Sequence, residues 1–312
     1  MTVNSFRHNT YILAILACAL GVSACDWRSP ATDSGALEDS IASKAFCTAE
    51  FSDSVKINDA IAYQNIRVDF PAEDDSSHVA QAALEWLCCE VRSRCYPDYI
   101  GVKIDSAFAV GDEHTTFAEN VVDTYGHKGL QRMTADLKEF AEDGFEGFMA
   151  NDLAIELVEN RPEYITYTLE HDVYTGGAHG AQYHKGLTFR TSDGATFNWN
   201  LFDSSKRAEL IQLLKNGLMA YFNQGAEEPI CTDSALFEML LLFDDPDTQE
   251  NELEFGLPLP ATDPWITSDG IVFIYQEYEI AAYAFGRPMV TLPFSVVAPC
   301  LTEAGRKFIS FD

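Results

Sequence analysis

Tyr164-Ile165-Thr166-Tyr167-Thr168-Leu169-Glu170-His171-Asp172-Val173 alternates along its length, and so does Gln182 to Arg190; between them lies Tyr174-Thr175-Gly176-Gly177-Ala178-His179. A period of two sends successive side chains to opposite faces of a strand, and β-branched and aromatic residues suit a pleated, half-buried surface. Gly176 and Gly177 permit positive φ in a tight turn. The stretch reads as two antiparallel strands joined by a glycine turn.

Upstream, Leu153 to Val158 alternates in the same way, and Ser54 to Pro71 has β-type composition with Ile57, Ile61, Tyr63, Ile66, Val68 and Phe70. Ser76 and Ser77 offer a helix N-cap before Leu84, Leu87, Cys88, Val91 and Cys95, whose spacings of three and four make one buried stripe. Tyr99 to Val110 alternates as a strand, and Lys128 to Ala150 fits a second helix with Leu130, Met133, Leu137, Phe140, Phe145 and Phe148 on its apolar face.

Downstream, Ser204 and Ser205 cap a helix bearing Leu210, Ile211, Leu214, Leu218, Tyr221 and Phe222, and a shorter helix fits Ser234 to Phe243. The acidic, proline-bearing Asp244 to Pro264 reads as loop; Trp265 to Tyr275 and Pro288 to Phe294 read as strands. The fold class expected is α/β in the α+β sense. It has two associated subdomains, residues 46–160 and 161–312, each a curved, mostly antiparallel sheet packed by helices.

The chain has 312 residues, 47% of them hydrophobic, enough for a sizeable core. Its 20 Lys and Arg face 49 Asp and Glu, a formal charge of −29. Such a surface repels nucleic acid and anionic headgroups and attracts cationic proteins. A plain solubility or salt adaptation is the competing reading of the same charge.

The N-terminus is read apart. Arg7 and His8 precede an apolar run from Tyr11 to Val22 that ends in Val22-Ser23-Ala24-Cys25. The layout is that of a secretory signal, with an apolar stretch shorter than a spanning helix needs. It resembles the lipobox of bacterial lipoproteins. That resemblance implies cleavage of residues 1–24, a lipidated Cys25 anchoring the protein to a membrane, and exposure to the periplasm or exterior; an ordinary signal cut after Ala24 competes with it. Without Arg7 the charge of −29 becomes −30. Residues 25–45, rich in Ser, Asp, Ala and Thr, read as a tether.

Cys47, Cys88, Cys89, Cys95, Cys231 and Cys300 remain, an even number in an exported chain, and suggest disulfides. The expected pairing sends Cys88 and Cys89 to separate partners among Cys47 and Cys95, and joins Cys231 to Cys300.

Two blocks carry a family resemblance. One is Tyr174-Thr175-Gly176-Gly177-Ala178-His179 with Lys185-Gly186-Leu187-Thr188-Phe189 and Trp199-Asn200-Leu201-Phe202. The other is Ser268-Asp269-Gly270-Ile271-Val272-Phe273, Tyr278-Glu279-Ile280-Ala281-Ala282-Tyr283-Ala284-Phe285-Gly286 and Val290-Thr291-Leu292-Pro293-Phe294. In order and separation they are similar to the C-terminal extracytoplasmic domain of the anti-sigma factor RsiV. The segment before them resembles the domain that also precedes the catalytic part of the deacetylase PdaC. The resemblance implies an extracytoplasmic α/β body that binds a protein or cell-wall ligand, lysozyme in the anti-sigma relative. The candidate ligand-binding residues in these blocks are Tyr174, Gly176, Gly177, His179, Tyr278, Glu279 and Tyr283. The family pattern has Asn-Pro where this chain has Gln276-Glu277, and Ala-Pro-Tyr where it has Ala281-Ala282-Tyr283.

No catalytic constellation is read. His171, His179, His184 and Asp172 lack metal-ligand spacing, so no metal and no cofactor is expected. Phe243-Asp244-Asp245-Pro246-Asp247 has no accompanying histidine motif, and nucleophile elbows and phosphate loops do not occur. The function expected is a non-enzymatic binding or sensor module of the cell envelope. A peptidoglycan hydrolase or deacetylase is the alternative, and an assembly lipoprotein a third reading.

Overall fold

The structure is a computed structural model, and it describes residues 46–96, 116–241 and 256–309. The expected signal, the expected lipidation site Cys25 and the expected tether lie outside these residues, as do the expected strand Tyr99–Val110 and most of the acidic loop.

A five-stranded sheet in the order β1-β2-β3-β4-β5 carries the molecule. The β-type stretch expected as one segment is a hairpin, β1 (Phe46–Ile57) and β2 (Ala60–Pro71), turning at Asn58 with φ 53°. Asn is one of the few non-glycine residues that tolerate this region. β2 then pairs in parallel with β3 (Phe148–Asn160), which demands a long crossover. Helices α1 (His78–Cys95) and α2 (Phe117–Glu142) supply it. The hairpin read from the sequence follows as β4 (Tyr164–Tyr174) and β5 (Ala181–Arg190), antiparallel to each other and to β3.

Ser77 caps α1 as expected. α2 lies earlier than its apolar periodicity placed it. A capping box between Thr116 and Glu119 starts it, and Phe148, assigned to its apolar face, opens β3. Both helices cover one face of the sheet, where Val79, Leu87, Val91 and Val121 meet Ile66, Val68, Phe70, Leu153, Ile155 and Leu169. Near the C-terminus of α1 this core encloses a polar chain. The His171 imidazole Nε2 donates to Asn151 Oδ1 at 2.6 Å, and Asn151 Nδ2 donates to Gln64 Oε1 at 3.1 Å. Burial, with Arg94 beside it, pulls His171 down to about 4.

A second sheet, in the order β6-β7-β8, holds Trp265–Thr267, Gly270–Ile274 and Met289–Leu292. The strand expected from Trp265 to Tyr275 is thus split by a turn at Ser268-Asp269. α3 (Arg207–Phe222) and α4 (Asp233–Met239) pack on this sheet, burying Leu210, Leu214, Leu218 and Leu236 with Ile271, Phe273 and Tyr275. Asp203, not Ser204 or Ser205, caps the short turn Ser204–Lys206 that leads into α3.

The two sheets meet through the hairpin. Thr166 Oγ1 donates to Ile266 O and Ile266 N donates to Thr188 Oγ1, each at 2.8 Å and buried. Trp265 lies over Gly186, where even a methyl group would come within 2.3 Å of its ring. The architecture is the mixed α+β class expected. The boundary expected at residue 160 needs correction, because β3 and β4 on either side of it are adjacent strands of one sheet.

The six thiols are unbridged, which corrects the expected disulfides. Cys88 and Cys95 share one face of α1 seven residues apart, about 10.5 Å along a helix, and Cys89 and Cys95 are about 9 Å apart, beyond the roughly 7 Å a disulfide tolerates. Neither residue of the Cys88-Cys89 pair can therefore reach Cys95. Cys231 is exposed on Pro229 O while Cys300 is buried, and Cys47 stands partly buried at the start of β1. Burial pushes both the Cys88 and Cys95 thiols up to about 12. Among the described residues no helix is long and apolar enough to cross a membrane.

Candidate functional site

The turn between β4 and β5 and the loop between β7 and β8 come together at one end of the molecule. Gly176 turns at φ 87° over the Phe145 ring, and Tyr174 Oη donates to Gly177 O at 3.0 Å. The turn carries His179 outward. Its ring stacks on Tyr283 at 4.4 Å between centroids, and Tyr278 lies 6.2 Å away with its hydroxyl 3.3 Å from His179 Nε2. Tyr278 and Tyr283 are 6.0 Å apart, so the three rings form one platform.

Tyr278 is 49% exposed and sits at φ 63°, one of two described non-glycine residues with positive φ. A bulky residue there is strained and persists only where its surroundings fix it. They do so through neighbouring side chains. Gln276 Oε1 accepts from His184 N at 3.1 Å and its Nε2 donates to His184 O at 2.6 Å, while Glu277 accepts from Gln182 N at 3.1 Å. These bonds tie the loop to the outer edge of β5 as a partner strand would. Glu279 turns inward, accepting from Gln276 N and Ala261 N at 2.7 Å each. Burial raises the Glu279 carboxyl above its ordinary range, against the pull of those two amides. Phe285 closes the loop, its carbonyl accepting from Tyr221 Oη at 2.8 Å.

Of the seven candidate residues, His179, Tyr278 and Tyr283 thus share a surface. Gly176 and Gly177 shape the turn that presents it. Tyr174 instead faces Phe148, ring centroids 4.8 Å apart, and Glu279 is part of the loop's frame. His171 and His184 fall on opposite faces of the first sheet, one beside Asn151 and the other stacked on Trp265. Among the described residues no group of three or more His, Cys, Asp or Glu side chains is placed to hold a metal.

Sequence reasoning missed Tyr63 and Phe148, which with Tyr174 form a second aromatic cluster, Tyr63 and Phe148 having centroids 6.5 Å apart. The alternation of β2 could have shown Tyr63 on the polar face, opposite Ala62 and Gln64.

The loop and the second sheet lie in a recognisable segment. Residues 199–295 match DUF3298, described as a protein of unknown function. The likeness in three dimensions reaches well outside the DUF3298 segment. A DUF3298 member from Bacteroides fragilis superposes with a TM-score of 0.62 at 18% identity, covering 86% of this chain and 98% of its own. A DUF3298 protein from Pseudomonas aeruginosa gives 0.50 at 11% identity, covering 84% and 97%. At such identities the likeness concerns the fold. No curated protein matches the chain.

Proposed function

We propose that this protein is a lipoprotein of the cell envelope, anchored through Cys25, whose body is a non-enzymatic binding or sensor module. Its partner is a protein, with lysozyme or another cationic wall-active protein as the concrete case. The observation that carries the reading is Tyr278, half exposed in a strained conformation on a loop that side-chain bonds fix to β5. Rigid aromatic side chains give contact area at little entropic cost, and a preorganised loop binds without first being ordered. The likeness of the two sequence blocks to the RsiV domain and the charge of −29 support a basic partner.

The test is surface plasmon resonance of lysozyme over the full-length protein in detergent, at low and high salt. Binding that weakens with salt, and that falls by about thirtyfold in Tyr278→Ala or Tyr283→Ala, is the expected result, equivalent to about 2 kcal/mol at a hot spot. Absence of binding, or binding untouched by both substitutions, refutes the reading. Partition of the Cys25→Ala variant into the aqueous phase checks the anchor.

A further inference from the structure

Among the described residues the first sheet has helices on one face only. On the other, the second sheet stands over Thr166, Thr188 and Gly186, at one end of β4 and β5. The remainder is a face that no described residue covers, and its rows follow from the strand register. One row is Glu50, Arg67, Ala154 and Glu170; the next is Ser52, Asn65, Asp152 and Asp172; the one after is Ser54, Tyr63, Ala150 and Tyr174. Ala154 makes a low floor between taller side chains, and a groove of about 300 Å³ opens there, walled by Glu50, Asn65, Arg67, Asp152, Glu170 and Asp172. Beyond the groove, Tyr63 one row on and Phe148 beside it stand 39% and 49% exposed.

The charge in this groove is one-sided. Arg67 bridges Glu50 at 3.4 Å and Glu156 at 3.7 Å, and Asp152 accepts from Asn65 Nδ2 at 2.5 Å, so Asp152, Glu170 and Asp172 have no full positive charge between them, with His184 and Arg287 at the margin. Asp172 feels it most. Burial and the carboxylates of Glu170, Asp152 and Glu277 raise its carboxyl, against the opposing pull of Arg287.

We propose that this open face is a second recognition surface, which takes an extended arginine- or lysine-rich segment of a partner protein laid across β1 to β4. Four strands span about 14 Å, the length of four to five extended residues. Basic heads would neutralise the carboxylates while their aliphatic stems lie on Ala154, and a further cation would meet the faces of Tyr63 and Phe148. A neutral glycan would use the rings but leave the carboxylates uncompensated, so charge complementarity selects the basic segment. The inference rests on the binding reading only in expecting a protein partner. Its test leaves Tyr278 and Tyr283 intact, so either idea can fail alone.

The test uses labelled nona-arginine and full-length protein in detergent, followed by fluorescence anisotropy. One variant carries Asp152→Asn, Glu170→Gln and Asp172→Asn. Its control carries Glu85→Gln, Asp136→Asn and Glu139→Gln, exposed positions on α1 and α2 with the same charge change. The open-face variant is expected to weaken binding about tenfold and the control less than about twofold, because only the first removes close charge pairs. Ser52→Lys, which keeps every native carboxylate, is expected to weaken it as well. Equal losses in the two triple variants, or no loss in Ser52→Lys, overturn the proposal. Displacement of the peptide by a neutral N-acetylglucosamine hexamer does so too.

Discussion

The contact between the two sheets makes a prediction whose sign is unusual. Replacing a glycine in a strand by alanine ordinarily stabilises a protein by about 0.4–1 kcal/mol, because the unfolded chain loses freedom. At Gly186 the added Cβ would lie 2.3 Å from two ring carbons of Trp265 and 2.7 Å from a third. Ordinary carbon contacts lie near 3.5 Å, so the ring must retreat by about 1.2 Å. It has little space to do so: Trp265 is 2% exposed and stacked on His184 with centroids 5.6 Å apart. Overpacking of this kind costs about 1–3 kcal/mol. At roughly 2–4 °C per kcal/mol for domains of 150–250 residues, Gly186→Ala should lower the melting temperature by about 2–12 °C. Thermal unfolding followed by near-ultraviolet circular dichroism reads both the midpoint and the Trp265 environment. Adding Trp265→Leu should recover part of the loss as a coupling of about 0.5–3 kcal/mol. A neutral or stabilised Gly186→Ala variant would show that the second sheet does not rest on the hairpin as described.

Other expectations follow from burial and capping. His171 titrates near 4 when folded and 6.5 when free, so the unfolded chain binds the extra proton as the pH falls through that window. Its share of stability, on the order of 3 kcal/mol, is whole above about pH 6.5 and lost toward pH 4; urea midpoints for His171→Gln should fall less steeply over this range, and parallel slopes would contradict the network. Native alkylation should modify the exposed Cys89 and Cys231 quickly and leave Cys88 and Cys95 until unfolding, whereas a disulfide at any of them would show as a missing thiol. Thr116→Ala removes the capping box of α2 and should cost about 1 kcal/mol in denaturant melts; a loss within error would place the start of the helix elsewhere.

Local signals made much of the fold legible. The hairpin β4–β5 was readable because its alternation runs to both ends of a glycine turn, and α1 because a serine cap precedes a clean stripe. α2 was misplaced because the apolar spacing of Leu130 to Phe148 runs on past the helix end, while the decisive Thr116 and Glu119 pair lies upstream of it. Asn58-Asp59 hid a hairpin because neither residue is glycine. The parallel pairing of β2 with β3 left no mark, since register across a crossover depends on helices packing tens of residues away. At the site, sequence grouped Glu279 with the tyrosines around it. Only the fold turns its carboxylate into the frame while Tyr278 points out.

Gln276 has a consequence for how the protein behaves in company. A lone amide side chain satisfies both the N–H and the C=O of His184, the groups through which the rim of a sheet recruits a foreign strand. With Glu277 accepting from the Gln182 N–H, that rim is stoppered from within the chain, and Lys185 of the same strand adds an inward-turned charge held by Glu90. Much of the resistance to fibril growth from this side is thereby lodged in a loop, and weakens if the loop carrying Gln276 and Glu277 opens.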